Sequence, residues 1–175
     1  PMHEANIDTN QLCPTRFNKV PRGPKYREIL FYDSRFKPDG TQTEFMLNAA
    51  PYDQSGIIVA DRNFGCGSSR ETAVYALYEF GIRCVIGVAL AEFFHENCLN
   101  NAVLPISLDE ATWGELSQWA REVDGQQALR VDLAERQIVA GPGKHWPFEI
   151  ADHARTRLME GLDDVGLTLK HREAI

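Results

Sequence analysis

The residues best suited to chemistry lie together in one segment, 63–71, which reads NFGCGSSRE. The hydroxyls of Ser68 and Ser69 precede a guanidinium at Arg70 and a carboxylate at Glu71. A guanidinium binds a carboxylate through two parallel hydrogen bonds, and a hydroxyl that has lost its proton can remove a proton from a substrate. The residue types and their spacing therefore predict a site that holds an anion beside a reactive oxygen.

The sequence on either side predicts that this segment joins a strand to a helix. Residues 56–61 form a short β-branched apolar run, typical of a buried parallel strand, whereas apolar residues recur at helical spacing over 73–80 and stop at Gly81. The first N–H groups of a helix lack internal partners, and the helix dipole favours negative charge beside them. We therefore expect a helix start that supports an anion, with Gly65 and Gly67 letting a ligand approach the backbone.

Three other interpretations of the segment can be weighed. Ser68 and Glu71 match a capping box, in which the two side chains bond backbone N–H groups at the helix start, and this alternative stays open because the same N–H groups could stabilise an alkoxide. A dinucleotide fingerprint needs a third glycine where Arg70 stands. A hydrolase Gly-x-Ser-x-Gly turn fails because neither serine is followed two residues later by glycine.

Composition limits the function further. A chain of 175 residues, 43% of them hydrophobic, can form one domain with a substantial core. Its 18 basic and 25 acidic residues give a net charge of −7, which disfavours nucleic acid and anionic membrane surfaces as partners. No segment reaches the roughly 18 apolar residues of a membrane helix, and we expect a cytoplasmic protein.

Several other residues favour ordinary structural roles. We interpret Phe93 and Phe94 as core residues, and Cys66 as a small packing residue whose pKa a helix start could lower. His95 lacks the second histidine of a metalloprotease helix. No zinc site or iron–sulfur cluster is predicted on this chain, because its cysteines are widely spaced: Cys13, Cys66, Cys84 and Cys98.

The pattern along the chain divides into three stretches of one domain. The stretch 1–54 is rich in loops, with brief strands expected at 29–32 and 45–47, and 55–108 alternates strand, helix, strand, helix and strand. The stretch 109–175 carries helices and a β-hairpin. Its expected elements are a helix capped by Asp109 and running to 123, strands at 129–133, 136–140 and 146–150, a helix at 151–160, and a weaker helical tail from 162.

The segment 63–71 resembles the Gly-x-Gly-Ser-Ser-Arg-Glu signature of the aconitase superfamily swivelling domain, most closely that of 3-isopropylmalate dehydratase small subunits. Further similarities lie at 6–9 with Pro14, within 93–106, and at 161–169, so the resemblance covers nearly the whole chain. It implies an α/β fold, a swivelling β/β/α domain like the aconitase C-terminal domain, with a mixed sheet and flanking helices.

The resemblance also implies an activity and a partner. The family interconverts 2- and 3-isopropylmalate by dehydration and rehydration through isopropylmaleate, in leucine biosynthesis. A large subunit carries a [4Fe-4S] cluster, and the active site forms where the subunits meet. The chain is thus expected to be a hydro-lyase subunit that binds a small dicarboxylate, forms a heterodimer or higher heteromer, and holds no metal itself.

The same resemblance assigns roles to individual residues. Ser68 matches the catalytic base, Ser69 and Arg70 match substrate-carboxylate ligands, and Arg22 lies in the loop 19–26 that helps to read the variable group of the substrate. On its own, an arginine on a polar loop is more often a solvated charge. This loop departs from the usual family sequence, and Thr72 stands where a histidine is usual. Three alternatives therefore stay open: a citramalate or dimethylmaleate type of substrate, a non-catalytic binding module, and an anion- or nucleotide-binding domain.

Overall fold

The computed structural model describes residues 1–141 and 143–161, so the helical tail expected from residue 162 lies outside the described residues. The helices are α1 (Thr9–Leu12), α2 (Tyr26–Ile29), α3 (Tyr32–Arg35), α4 (Glu71–Phe80), α5 (Glu92–Asn100), α6 (Glu110–Val123) and α7 (Asp152–Glu160). The strands are β1 (Ile57–Val59), β2 (Cys84–Gly87), β3 (Leu104–Ser107), β4 (Leu129–Asp132), β5 (Gln137–Ala140) and β6 (His145–Pro147).

The first sheet is parallel, in the order β1, β2, β3, and α4 and α5 make its two crossovers. Side chains alternate across a strand, so the sheet contributes to a core on each face. Val85 faces one core with the helices α1, α2, α4 and α5, whereas Ile86 faces a second core with α6 and the other sheet. The alternation of strand and helix expected over 55–108 is therefore observed.

The second sheet is antiparallel, in the order β4, β5, β6, and it packs against α6 through buried residues that include Ile138 and Trp146. The hairpin of β4 and β5 lies where the sequence predicts it. Parallel and antiparallel pairs are both present, as expected for a mixed α/β architecture, but they lie in separate sheets. The predicted α/β class is confirmed.

The prediction of brief strands at 29–32 and 45–47 is wrong. In the first range α2 ends at Ile29 and α3 begins at Tyr32, and Phe31 between them has the left-handed conformation at φ 51°. In the second range a 3-10 turn (Met46–Asn48) begins. Tyr26 and Ile29, one helical turn apart, are both buried beside α4. Four apolar residues in a row cannot distinguish a strand from a turn of helix, and tertiary packing decided the outcome.

The long helix α6 begins as expected. Asp109 accepts hydrogen bonds from the N–H groups of Ala111 and Thr112, both at 3.0 Å. The hydrogen bond from the Thr112 hydroxyl, followed by these two backbone bonds, holds the pKa of Asp109 below its ordinary value. Asp124 and Gly125 end the helix in the positive-φ conformations that reverse the chain. No helix of the described residues has the length and hydropathy needed to span a membrane.

Replacing Ser117 by alanine should stabilise the protein. Ser117 is fully buried on α6, and its Oγ has no hydrogen-bond partner within the described part of the chain. An unpaired buried polar group costs about 1–3 kcal/mol, and alanine is the better helix former. We expect Ser117→Ala to raise the free energy of unfolding by about 1 kcal/mol in urea denaturation, while the exposed control Ser107→Ala changes it by less than about 0.5 kcal/mol. A loss of stability in Ser117→Ala would show that the hydroxyl has a partner.

Candidate active site

The loop between β1 and α4 depends on two glycines for its shape. Gly65 and Gly67 have φ of +80° and +88°, a region that other residues enter at a cost in free energy. At Gly65 there is also no room for a side chain, since a Cβ there would lie 2.1 Å from Cγ of Phe94. The α5 side chain of Phe94 therefore packs directly on the loop backbone.

The start of the chain lies alongside this loop and holds it. The N–H of Gly65 donates to the carbonyl of Ile7 at 2.8 Å, and the N–H of Thr9 donates to the carbonyl of Cys66 at 2.9 Å. Asp8 pairs with Cys66 as a parallel bridge and also caps α1. The similarity at residues 6–9 thus has a physical basis that sequence reasoning did not find: this segment is the backbone partner of the loop.

Ser68 and Ser69 are exposed, but they precede the helix rather than cap it. Helix α4 starts at Glu71, and its N-cap is Arg70, whose side chain makes no capping hydrogen bond. The carboxylate of Glu71 accepts instead from the hydroxyl of Tyr75 at 2.6 Å. The capping-box interpretation of Ser68 is therefore wrong, because the loop stays extended through Arg70, at φ −135° and ψ 119°.

The guanidinium of Arg70 is positioned by uncharged groups. Its Nη1 donates to Oγ1 of Thr15 at 3.0 Å, and its Nη2 donates to Oγ1 of Thr9 at 3.2 Å. A longer contact of 3.4 Å joins Nη1 to the carbonyl of Cys13. Nε is buried and has no hydrogen-bond partner among the described residues, which also contribute no carboxylate to an ion pair with Arg70.

The two threonines are themselves oriented. The Thr9 hydroxyl donates to the carbonyl of Ser68 at 2.9 Å, and the Thr15 hydroxyl donates to Oδ1 of Asn10 at 2.8 Å. Each hydroxyl proton is thereby occupied, so a lone pair of each oxygen is left for Arg70. Thr9, only 2% exposed, links the backbone of Ser68 to the guanidinium of Arg70.

Arg22 lies apart from these residues. Its Nη1 donates to Oδ1 of Asn101 at 3.0 Å, and its guanidinium lies 4.5 Å from the ring centroid of Tyr75 and 5.7 Å from that of Tyr78. Tyr75 and Tyr78 belong to the middle and end of α4, whereas Ser68 precedes that helix. The structure thus brings Ser68, Ser69 and Arg70 together, and it places Arg22 further along the helix in a polar and aromatic setting.

Two structural interpretations from the sequence need correction. Cys66 is not at a helix start, and burial, followed by the charge of Asp8, raises the pKa of its thiol instead of lowering it. Phe94 is buried as expected, but Phe93 is 61% exposed and is not a core residue. Consecutive helical positions point about 100° apart, so only one of the two rings could face the loop.

The described residues bring no three histidine, cysteine, aspartate or glutamate side chains together as a metal site. Cys13, Cys84 and Cys98 are buried, and burial raises the pKa of each thiol. A cluster requires thiolates grouped around it, which these residues do not provide.

The architecture and the glycine-rich loop define a domain of the aconitase C-terminal type. The family model described as the aconitase C-terminal domain matches residues 1–111. The fold is similar to the crystal structure of 3-isopropylmalate dehydratase from Methanocaldococcus jannaschii, with a TM-score of 0.69 and 24% identity, over 99% of this chain and 93% of that one.

The whole chain is 46% identical to the 3-isopropylmalate dehydratase small subunit of Gluconacetobacter diazotrophicus and covers 84% of it. It is 39% identical to the small subunit of Brevibacillus brevis, of which it covers 90%. The chain belongs to the family of 3-isopropylmalate dehydratase small subunits. The family predicted from the segment 63–71 is thereby confirmed.

Alanine at Gly65 should damage the loop more than alanine at a glycine of similar backbone conformation. Gly40 has φ +83° and no atom within 4 Å of the place a Cβ would take, whereas a methyl group at Gly65 would press into the ring of Phe94. Gly40→Ala should cost about 1–2 kcal/mol for the positive φ, and Gly65→Ala about 1–3 kcal/mol more for overpacking. The measurement is the urea dependence of unfolding for both variants. Equal losses of unfolding free energy in the two variants would mean that the contact with Phe94 adds nothing to the cost of the positive φ.

Cys66 should be the cysteine that reacts first with iodoacetamide in the folded protein. It is partly exposed, while Cys13, Cys84 and Cys98 are buried. Because its pKa is raised, its rate should keep rising with pH beyond the ordinary thiol pKa of about 8.5. Mass spectrometry of peptides from a pH series measures site and rate. A rate that levels off below pH 8 would contradict the raised pKa.

Proposed function

We propose that this chain completes the active site of a hydro-lyase that interconverts 2- and 3-isopropylmalate through isopropylmaleate, a step of leucine biosynthesis. Full-length similarity to small subunits of that name supports the proposal. The observation that carries it is the arrangement of the loop: Arg70, held by threonine hydroxyls, directly follows the exposed residues Ser68 and Ser69. This is a site for a carboxylate next to a base.

Arg70 has no carboxylate partner among the described residues and keeps an N–H group available for a substrate. Its Nε–H has no partner, and Nη2 uses one of its two N–H groups on Thr9. The second N–H of Nη2 remains for one oxygen of a substrate carboxylate. Ser69 supplies a further hydroxyl from the neighbouring position.

Ser68 is the proposed base. Dehydration removes a weakly acidic proton from the carbon beside a carboxylate, and a serine does this only as an alkoxide. Arg70, two residues away, supplies a positive charge that favours the alkoxide, and the start of α4 adds a favourable dipole. The hydrogen bond from Thr9 to the carbonyl of Ser68 fixes the backbone, so the exposed hydroxyl is the part free to meet the substrate.

The [4Fe-4S] cluster is proposed to belong to a large-subunit partner. The thiols of this chain do not fit it, because the described cysteines are dispersed and mostly buried. When bound, the cluster supplies a Lewis acid for the departing hydroxide. This chain contributes the anion site and the base, and it has to present them outward.

Arg22 is proposed to read the variable group of the substrate once the partner is in place. Asn101 and the rings of Tyr75 and Tyr78 already restrict its guanidinium, which lowers the entropy lost on binding. Thr72, which stands where the family usually has histidine, donates to Oδ1 of Asn18 at 3.1 Å and so ties the start of α4 to the segment before the loop 19–26.

The assay that tests the function uses the chain reconstituted anaerobically with its large subunit. Turnover is followed by the absorbance of the maleate-type double bond, which forms from 2-isopropylmalate or citramalate and disappears from dimethylmaleate, each supplied separately. The highest kcat/KM for isopropylmalate would support the proposal. A higher kcat/KM for another substrate would identify the protein as a subunit of a related dehydratase. No turnover with any of them would favour a binding module.

Changing Ser68 to alanine should abolish most catalysis. A positioned base contributes roughly 100- to 10,000-fold, so kcat of the reconstituted enzyme should fall by that factor with the iron content unchanged. Ser69→Ala should act chiefly on KM, by about tenfold or more, because it loses one hydrogen bond to a charged group. The exposed Ser107→Ala is the control. Near-normal kcat in Ser68→Ala would exclude it as the base.

A further inference from the structure

We propose that Phe93 is an anchor residue of the interface with the cluster-bearing large subunit. Phe93 is 61% exposed at the start of α5, and Met159 on α7, at 53%, is the other large hydrophobic residue that the described chain exposes. Single exposed apolar side chains are common on protein surfaces. What distinguishes Phe93 is its place in the first turn of α5, the helix whose Phe94 packs on the loop backbone at Gly65.

The start of α5 and the loop are joined by several contacts. The N–H of Ala91 donates to the carbonyl of Phe64 at 3.1 Å, and the N–H of Asn63 donates to the carbonyl of Ala89 at 2.7 Å. The rings of Phe64 and Phe94 meet edge to face with centroids 5.5 Å apart. A shift of α5 would therefore shift the loop, and Phe93 occupies a fixed place relative to it.

Phe93 and Ser68 fall within one interface footprint. Phe94, the neighbour of Phe93, lies against Gly65, and Gly65 is three residues from Ser68, at most about 11 Å of extended chain. A stable interface covers about 800 Å² on each partner, a patch roughly 30 Å across. A partner seated over Ser68 that extends along the loop to the first turn of α5 would contact Phe93.

The occupant follows from the chemistry of the loop, and the inference rests on the proposed function at this point. Dehydration needs a Lewis acid opposite Ser68, and the described residues form no metal site. The large subunit must then approach the exposed side of Gly67, Ser68 and Ser69. Aromatic residues near the centre of such a contact commonly dominate binding, and Phe93 is the aromatic residue available there.

The experiment measures the dissociation constant between this chain and the reconstituted large subunit by anaerobic isothermal titration calorimetry. Phe93→Ala should weaken binding by about 10- to 100-fold, while the matched control Met159→Ala stays within about twofold of the unaltered chain. Phe93→Leu, which keeps much of the apolar contact, should lie between them. At saturating concentrations of the variant chain, kcat should return to that of the unaltered enzyme, because Phe93 acts on assembly.

Several outcomes would overturn the inference: unchanged affinity in Phe93→Ala, an equal loss in Met159→Ala, or a change confined to self-association of the isolated chain, which would assign the surface to a second copy. If the unaltered pair binds but turns over no substrate, the proposed function fails while the dissociation constants still decide the role of Phe93. Absence of any complex would contradict both.

Discussion

The backbone pairing between residues 6–9 and the loop 63–71 is the constraint on which the rest of the site depends. Loops that carry function are commonly mobile, and this one is held by main-chain bonds from Gly65 to Ile7 and from Thr9 to Cys66. The bonds leave the serine hydroxyls exposed while fixing the backbone that carries them. Precise placement of reactive groups needs this kind of support.

Electrostatics in the site follow from the choice of neutral partners for Arg70. Elsewhere on the surface, Arg16 pairs with Asp33 and Arg62 pairs with Glu110. Had a carboxylate held Arg70 in the same way, it would compete with the proposed substrate carboxylate and cancel the charge that would favour the proposed alkoxide at Ser68. Threonine hydroxyls orient the guanidinium without neutralising it. In a chain of net charge −7, the proposed anion site depends on this local arrangement.

Helix α5 connects the core, the loop and the outer surface. Its buried side places Phe94 against Gly65 and Cys98 in the core, and its exposed side carries Phe93. Helix α5 is also tied to the parallel sheet, because it is the crossover from β2 to β3. A partner that docks on the loop would therefore rest on an element anchored in the main core, which favours a rigid interface.

The sequence by itself determined the helices α4 and α6, the parallel strands and the glycine-rich loop between β1 and α4, because apolar periodicity and glycine spacing are local properties. It also identified the family, through a motif whose residues are adjacent in the chain. It failed at 29–32, where four apolar residues fit either a strand or a helical turn, and at Ser68, where a capping box was plausible locally. Only the tertiary structure decided these points, together with the partners of Arg70 and the exposure of Phe93. Each of these features depends on groups distant in sequence. Thr9, in the segment that pairs with the loop, accepts a hydrogen bond from Arg70, and the packing of Phe94 against Gly65 sets which face of α5 is buried.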